Sequence, residues 1–240
     1  MNLRVFVAVC LLLLGLAAGA ATAGDIVTVP TANQVKAGEA DVAIYYIGVD
    51  NDSLPTSIQG LNIGFVRAQT LYVGLTDRVE LDVHRYDVDV IGVETIFNAT
   101  VVVQPETLKR PIIVIGGRDL TRAHKDPTGA ATGASYFVCA AKTLNPPVGG
   151  PPTKPIVRLH LSLGTADMTL FNEERHEGLF GGVQALLRPQ FPQVGLVALY
   201  DGQDVITALT VTPQPKWPTL KGGTFGGHWW IGASHTFNAK

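Results

Sequence analysis

A two-residue alternation of apolar and polar side chains recurs from about residue 39 to the end of the chain. Residues 79–84 (VELDVH) and 157–163 (VRLHLSL) each place their apolar side chains on one side and their polar side chains on the other. A period of two is that of a β-strand, whose successive side chains point to opposite faces. No helical period continues for more than a few residues, so the sequence predicts an all-β fold.

Twelve such segments are separated by Gly, Pro, Asn and Asp residues, which favour turns. They leave about 18 residues for each strand with its connection, which suits tilted membrane-crossing strands of about 9–11 residues. The predicted strands are 39–49, 61–74, 79–84, 93–103, 111–118, 134–143, 157–163, 178–187, 194–200, 205–212, 217–222 and 227–237.

The predicted connections differ in length according to their position in the chain. The long odd-numbered connections are 50–60, 119–133 and 165–177, whereas 144–155 is the long one among the even-numbered connections. Bacterial outer-membrane barrels combine long outer loops with short periplasmic turns. The sequence therefore predicts an antiparallel up-and-down transmembrane β-barrel of about 12 strands.

Composition agrees with strands that face lipid on one side. The chain is 46% hydrophobic and 16% charged, with a mean hydropathy of +0.23, whereas soluble domains have about 25% charged residues. Its net charge of −2 provides no basic field for nucleic acid, whose binding depends on clustered Lys and Arg. We therefore expect no nucleic-acid partner.

The N-terminus has the three parts of a secretory signal peptide. Arg4 precedes an apolar stretch over residues 5–16, and a run of small residues ends at Ala23. This order predicts a signal peptide over residues 1–23, a periplasmic lead-in over 24–38 and a barrel over 39–237. Cys10 lies inside the apolar stretch, so we expect no lipidation there, and Cys139 alone leaves the exported chain without an internal disulfide.

Seven aromatic residues lie near predicted strand ends, where amphipathic rings favour the membrane interface. The alternative is that they are core or rim residues of a soluble β-sandwich. The predicted interface aromatics are Tyr86, Tyr136, Tyr200, Trp217, Trp229, Trp230 and Phe237.

Several short segments, in order, resemble the YjbH-like outer-membrane β-barrel proteins. Residues 26–33 (IVTVPTAN) are similar to the family's P-T-A opening, 74–81 (GLTDRVEL) to its G-L-T-D-R-x-E hairpin, and 199–205 (LYDGQDV) to its E-Y-D-G-x-D turn. Residues 116–120 and 135–138, with Lys142, resemble later strands. Leu199 stands where the family has an acidic residue, and the chain is shorter than full members. The resemblance implies an outer-membrane barrel associated with exopolysaccharide production or export.

Polar side chains on the face opposite the apolar one are expected to line the lumen as solvated or mutually satisfied groups. Same-face spacing on one strand supplies too few ligands for a metal site, and we expect no metal and no cofactor. The lumen candidates are Glu80, Asp82, His84, Glu94, Asn98, Arg158, His160 and Ser162.

No local motif of a hydrolase or a phosphate-binding loop occurs in the sequence. Ser162 lies two residues from His160, and residues 172–177 (NEERHE), His124 and Asp126 fall in long loops where charges are normally hydrated. No catalytic residue is therefore assigned. An enzyme acting on lipid or glycan, such as a hydrolase or acyltransferase, would need a serine or acid cluster around His84 or His160.

The sequence thus predicts a non-enzymatic outer-membrane barrel of a Gram-negative bacterium, with a role in envelope structure or in passage or export of a polar solute. Its expected partners are outer-membrane lipid, the barrel-assembly machinery, and a polysaccharide or other polar solute. The main alternative is a soluble periplasmic β-sandwich or small-barrel binding module, with its apolar faces sequestered in a core.

Overall fold

A computed structural model describes residues 31–53, 63–88, 92–123, 133–146, 154–165, 167–168 and 174–238. The predicted signal peptide, lead-in residues 24–30, His124, Asp126 and residues 172–173 lie outside the described residues. No helix within the described ranges is long and apolar enough to cross a membrane.

The chain forms a closed barrel of twelve antiparallel strands, in which each strand pairs with its neighbours in sequence and the first closes on the last. The predicted fold class, an all-β up-and-down barrel of about 12 strands, is confirmed. The barrel strands are β1 (Glu39–Gly48), β2 (Phe65–Gly74), β3 (Val79–Val88), β4 (Gly92–Gln104), β5 (Ile112–Arg118), β6 (Ser135–Thr143), β7 (Ile156–Gly164), β10 (Gly178–Arg188), β11 (Gln193–Tyr200), β12 (Val205–Thr212), β13 (Thr219–Phe225) and β14 (His228–Asn238).

Three short elements lie in the connections. A 3₁₀ turn covers Asn51–Ser53, and two two-residue strands, β8 (Asp167–Met168) and β9 (Glu174–Arg175), pair within the β7–β10 connection. We call the end of the barrel that carries connections 49–64, 119–134 and 165–177 the loop end. The opposite end, where β1 begins and β14 finishes, is the terminal end.

Six of the twelve barrel strands have at least 10 residues, and the shortest, β5 and β13, have 7. Strands β1, β2 and β3 each have 10 residues. A strand of that length extends about 33 Å and covers about 25 Å of height at the usual tilt of membrane barrels. About 25 Å is also the height of the apolar band of such barrels.

The alternation predicted from the sequence separates an exposed apolar wall from a buried inner face. On β7, Leu159, Leu161 and Leu163 are 44%, 58% and 56% exposed, whereas His160 and Ser162 between them are 5% and 2% exposed. The same arrangement recurs around the ring, so most large apolar residues of the strands point outward.

Charged side chains on the outer face concentrate towards the loop end of β2 and β3. Arg67 and Asp87 form an ion pair there at 3.9 Å, and Arg85 shares the same face. This ion pair lies near the ends of the two strands, away from the middle of the apolar wall.

Candidate functional site

The structure places all eight predicted lumen side chains on the inner face of the barrel. Six of them are buried, and Glu94 and Arg158 are partly exposed. Glu94 pairs with Tyr86, and Arg158 pairs with Gln184. Because paired residues on neighbouring strands point to the same face, and both partners face the interior, Glu94 and Arg158 also point inward. The eight form two groups, five residues on β3 and β4 and three on β7.

The β3–β4 group is a hydrogen-bonded network. His84 Nδ1 lies 3.1 Å from the Tyr86 hydroxyl, and its Nε2 lies 3.4 Å from Asp82 Oδ2. Asn98 donates to the same carboxylate oxygen at 3.5 Å and accepts from the Asp119 amide at 2.9 Å. These bonds orient His84 and tie both strands to the loop that follows β5.

The β7 group is bonded to its neighbours differently. Arg158 Nη1 donates to Glu106 Oε2 at 2.5 Å and to Thr143 Oγ1 at 2.9 Å, while the Ser162 hydroxyl donates to Cys139 Sγ at 2.8 Å. Partial burial acts to raise the pKa of Glu106. The Thr143 amide and the Arg158 guanidinium outweigh that effect and hold this pKa below its usual range.

Among the described residues, neither His84 nor His160 lies within the set of hydrogen-bonded groups that a serine hydrolase requires. His84 contacts the acid Asp82 but has a tyrosine on its other nitrogen, and Ser162 bonds to Cys139. Within the described residues, no group of three or more His, Cys, Asp or Glu side chains could hold a metal ion. The expectation of a non-enzymatic chain stays a prediction.

Inward-facing charges of opposite sign lie on different strands of the barrel. In the described strands, the inward-facing carboxylates all lie on β1, β3 and β4, whereas the inward-facing cations lie on β5, β7 and β13. Because β5 pairs with β4 and only β14 separates β13 from β1, some of the cations lie close to carboxylates around the ring. The carboxylates are Glu39, Asp41, Glu80, Asp82 and Glu94, and the cations are Arg118, Arg158 and Lys221.

The loop-end half of the interior is filled with apolar side chains. Ile47, Val66, Phe225 and Trp230 are fully buried there, and Tyr45 meets Trp230 edge to face with ring centroids 5.8 Å apart. Water is excluded from such a layer. The inward-facing polar side chains therefore lie mainly in the terminal-end half, and Glu94 and Arg118 are among the exceptions near the loop end.

The lead-in enters the barrel from the terminal end. Asn33 Nδ2 donates to Gln184 Oε1 on β10 at 3.2 Å, and Gln34 Nε2 donates to Thr100 Oγ1 on β4 at 3.0 Å. The Val35 amide donates to Glu80 on β3 at 2.6 Å. Because β10 lies far from β3 and β4 around the ring, these contacts carry the segment across the interior.

A cavity of about 250 Å³ remains between the lead-in and strands β7, β10, β11, β12 and β13. Asn33, Arg158, Gln184, Thr210 and Lys221 contribute to its polar lining. The cavity also touches the first residues of β7, β11 and β13, so it lies at the terminal end. It is the principal candidate for a functional site.

The loop end is held by a buried ion cluster. Arg175 on β9 bonds to Asp201 at 2.5 Å and to Asp204 at 3.0 Å, and its guanidinium lies 4.6 Å from the centre of the Phe225 ring. Asp201 and Asp204 belong to the turn between β11 and β12. This turn therefore anchors β9 at the loop end of the barrel.

Four of the seven predicted interface aromatics point outward near a barrel end. Tyr136, Tyr200, Trp217 and Trp229 are 58%, 43%, 55% and 53% exposed. Tyr46, which the sequence analysis missed, joins them by lying 5.8 Å from the Trp229 ring.

The interface prediction is corrected for Tyr86 and Trp230, which are 5% and 0% exposed inside the barrel. Adjacent strand residues point to opposite faces, so only one of Trp229 and Trp230 can face outward. Phe237 is buried, with its ring centroid 4.6 Å from that of His235.

Sequence reasoning also missed the inward-facing Asp41, Arg118, Gln184 and Lys221. The signal for Asp41 and Lys221 is a single charge between apolar or small residues in a strand. The inward face is the less costly side of a barrel for such a charge, although Arg67 shows that a charge near a strand end can also face outward.

No protein-family model matches the chain, and no curated protein matches it. The resemblance to the YjbH-like barrels is carried by the short segments quoted above and stays a prediction.

Proposed function

We propose that the protein is a non-enzymatic outer-membrane β-barrel of a Gram-negative envelope, and that its interior receives a polar solute from the terminal end. The main support for this proposal is that the barrel has apolar side chains on its outside and polar side chains on its inside, the inverse of a soluble protein. Outward Leu161 and Leu163 are 58% and 56% exposed, while Glu80, Asp82 and His84 are at most 4% exposed.

A lipid environment accounts for the exposed wall. Soluble monomers rarely expose contiguous apolar patches larger than a few hundred Å², and here such residues recur on the outer face of nearly every strand. The alternative, a soluble periplasmic module, requires these faces to be sequestered in a core. Their exposure favours the membrane barrel.

The polar half of the interior favours a solute over a purely structural role. Lipid-facing strands alone do not require buried charges on both sides of the lumen, because each buried charge has a desolvation cost. The apolar layer at the loop end argues against an open diffusion pore. Passage or export of the solute would require that layer to move.

Cell fractionation and gel mobility test the proposal. We expect the protein in the outer-membrane fraction, soluble only with detergent, with an electrophoretic mobility that changes on boiling because the folded barrel resists SDS. In planar bilayers we expect little steady conductance. Recovery as a soluble periplasmic protein whose mobility is unchanged by boiling would contradict the proposal.

A further inference from the structure

We infer that the terminal-end cavity is a binding site for a small anionic solute, one that presents a carboxylate or phosphate group to Lys221, Arg158 and Gln184. This inference rests on the proposed function, because it names the class of polar solute that the interior receives.

Unused hydrogen-bond donors line this cavity. Gln184 Nε2 and Arg158 Nε are buried and have no partner in the described part of the chain. Lys221 is 8% exposed, and the hydrogen bond found for its ammonium group is a 3.5 Å contact to the Tyr45 hydroxyl. A buried donor without an acceptor is costly, so these three groups favour a ligand that supplies oxygen acceptors.

Among the described residues, the cavity lining has no buried, unpartnered side-chain oxygen that could pair with these donors. The buried side-chain oxygens that lack a partner among the described residues belong to residues outside the cavity lining. The lining also contains oxygens on Asn33, Gln193 and Thr210 that can accept hydrogen bonds from the hydroxyl groups of a ligand. The buried side-chain atoms of the lining that lack a partner among the described residues are nevertheless donors.

Two cations line the cavity, and each keeps unused hydrogen-bonding capacity although a carboxylate lies nearby. Glu106 holds one edge of Arg158, which leaves its Nε unused. Asp41 acts electrostatically on Lys221, but its Oδ2 accepts a hydrogen bond from the Thr236 hydroxyl at 2.6 Å. An anion placed between Arg158 and Lys221 would gain charge-assisted hydrogen bonds, which are stronger than neutral ones.

The volume of the cavity and the hydroxyl groups of its lining indicate which ligands it can hold. A volume of about 250 Å³ lies just below the range of about 300–1,000 Å³ typical of drug-sized ligand sites. Thr210 lines the cavity together with Thr212 and Thr219, whose hydroxyls are 2.7 Å apart. A single sugar ring that carries one acidic group fits this volume and this lining.

Calorimetric titration of the folded, detergent-solubilised protein tests the inference with three probes that share one sugar frame. Glucuronate carries a carboxylate, glucose 6-phosphate carries a phosphate, and glucose carries neither. We expect at least one acidic sugar to bind at least tenfold more tightly than glucose, and the better of the two identifies the anionic group. Equal binding of all three sugars, or no binding of either acid, would overturn the inference.

Two variants locate the site. Gln184→Glu keeps the Oε1 acceptor for Asn33 but replaces the unused donor with an acidic oxygen, and Lys221→Met removes the charge at similar length. Each is expected to weaken binding of the acidic sugar at least tenfold. The control Lys216→Met removes an exposed lysine from the β12–β13 turn and should leave binding unchanged.

The boiling-dependent gel shift shows whether each variant is folded, and if Lys221→Met fails to fold, the isosteric Gln184→Glu decides. Unchanged affinity in a folded Gln184→Glu would overturn the inference. A membrane-inserted barrel that binds neither acidic sugar contradicts only the inference. A soluble protein that binds them contradicts the proposed membrane location and leaves the cavity assignment in place.

Discussion

Gly222 and Gly223 are adjacent residues of β13 with different room for a side chain. A Cβ atom at Gly223 would overlap the carbonyl oxygen of Thr207 on β12, whereas the atom nearest to a Cβ at Gly222 is the Trp230 carbonyl oxygen at 3.4 Å. The close approach of β12 and β13 therefore depends on one glycine of the pair.

We predict that Gly223→Ala lowers the free energy of unfolding by about 1–3 kcal/mol, the usual cost of overpacking. Gly222→Ala, the matched control, should change it by less than about 0.5 kcal/mol, as at most sites without such a contact. Urea unfolding in detergent, followed by the gel shift, measures both. Equal stability of the two variants would show that β12 and β13 do not approach this closely.

The Glu106 carboxylate links the β4–β5 turn to β6 and β7. Its pKa is held below its usual range by the Thr143 amide and Arg158, against the effect of burial. A carboxylate with a lowered pKa in the folded state stabilises that state at neutral pH, and this contribution is lost as the pH falls through the lowered pKa.

Glu106→Gln should therefore lower stability by about 1 kcal/mol at pH 7, a value typical of a partly exposed ion pair with charged hydrogen bonds. At a pH below the lowered pKa, the variant and the wild type should melt together, because both then carry a neutral side chain. Thermal melts across this pH range provide the measurement. A difference that persists in acid would exclude the carboxylate charge as its cause.

At the scale of elements, the lead-in determines how much of the interior is open. Its Ala32 is 1% exposed inside the barrel, whereas Ala37 is exposed at the terminal end. An enclosed position and an accessible one are thus only five residues apart in the chain.

In a Cys139→Ala background, Ala32→Cys should react with a bulky maleimide at least tenfold more slowly than Ala37→Cys in the folded barrel. Both should react equally fast in urea. Both variants replace an alanine with a cysteine, so they differ only in the position of that cysteine. Equal labelling in the folded state would place the lead-in outside the barrel.

Strand positions were predictable because alternation and turn residues are local properties. The bounds differ most at β2, which begins at Phe65, and at β3, which continues to Val88. β13 runs from Thr219 to Phe225 and leaves Trp217 in a turn. The inserted lead-in was not predictable. Its contacts join Asn33 to Gln184 and Val35 to Glu80, and no short-range pattern encodes such distant pairs.

The candidate site was predictable only in part. Alternation identified which faces of β3 and β7 turn inward, and hence Glu80, Asp82, Arg158 and His160. The cavity itself arises where the lead-in leaves space beside β10 to β13, which depends on packing between distant parts of the chain. Gln184 and Lys221 belong to the candidate site because they line this cavity, and no sequence motif marks them.

At the scale of the whole molecule, the exposed apolar wall is proposed to face lipid. Leu161 is in the middle of β7 and 58% exposed, and Leu108 is 74% exposed in the β4–β5 turn at the terminal end. Both leucines are accessible, but only Leu161 lies within the proposed apolar band.

The most direct test is the unfolding free energy of Leu161→Arg and Leu108→Arg in lipid bilayers. An arginine on the lipid face costs about 2–4 kcal/mol at the bilayer midplane and about 0–1 kcal/mol near the interface. We therefore predict that Leu161→Arg destabilises the barrel by about 2–4 kcal/mol and Leu108→Arg by less than about 1 kcal/mol. Equal, near-zero effects of the two substitutions would mean that water surrounds the wall, and would contradict the account.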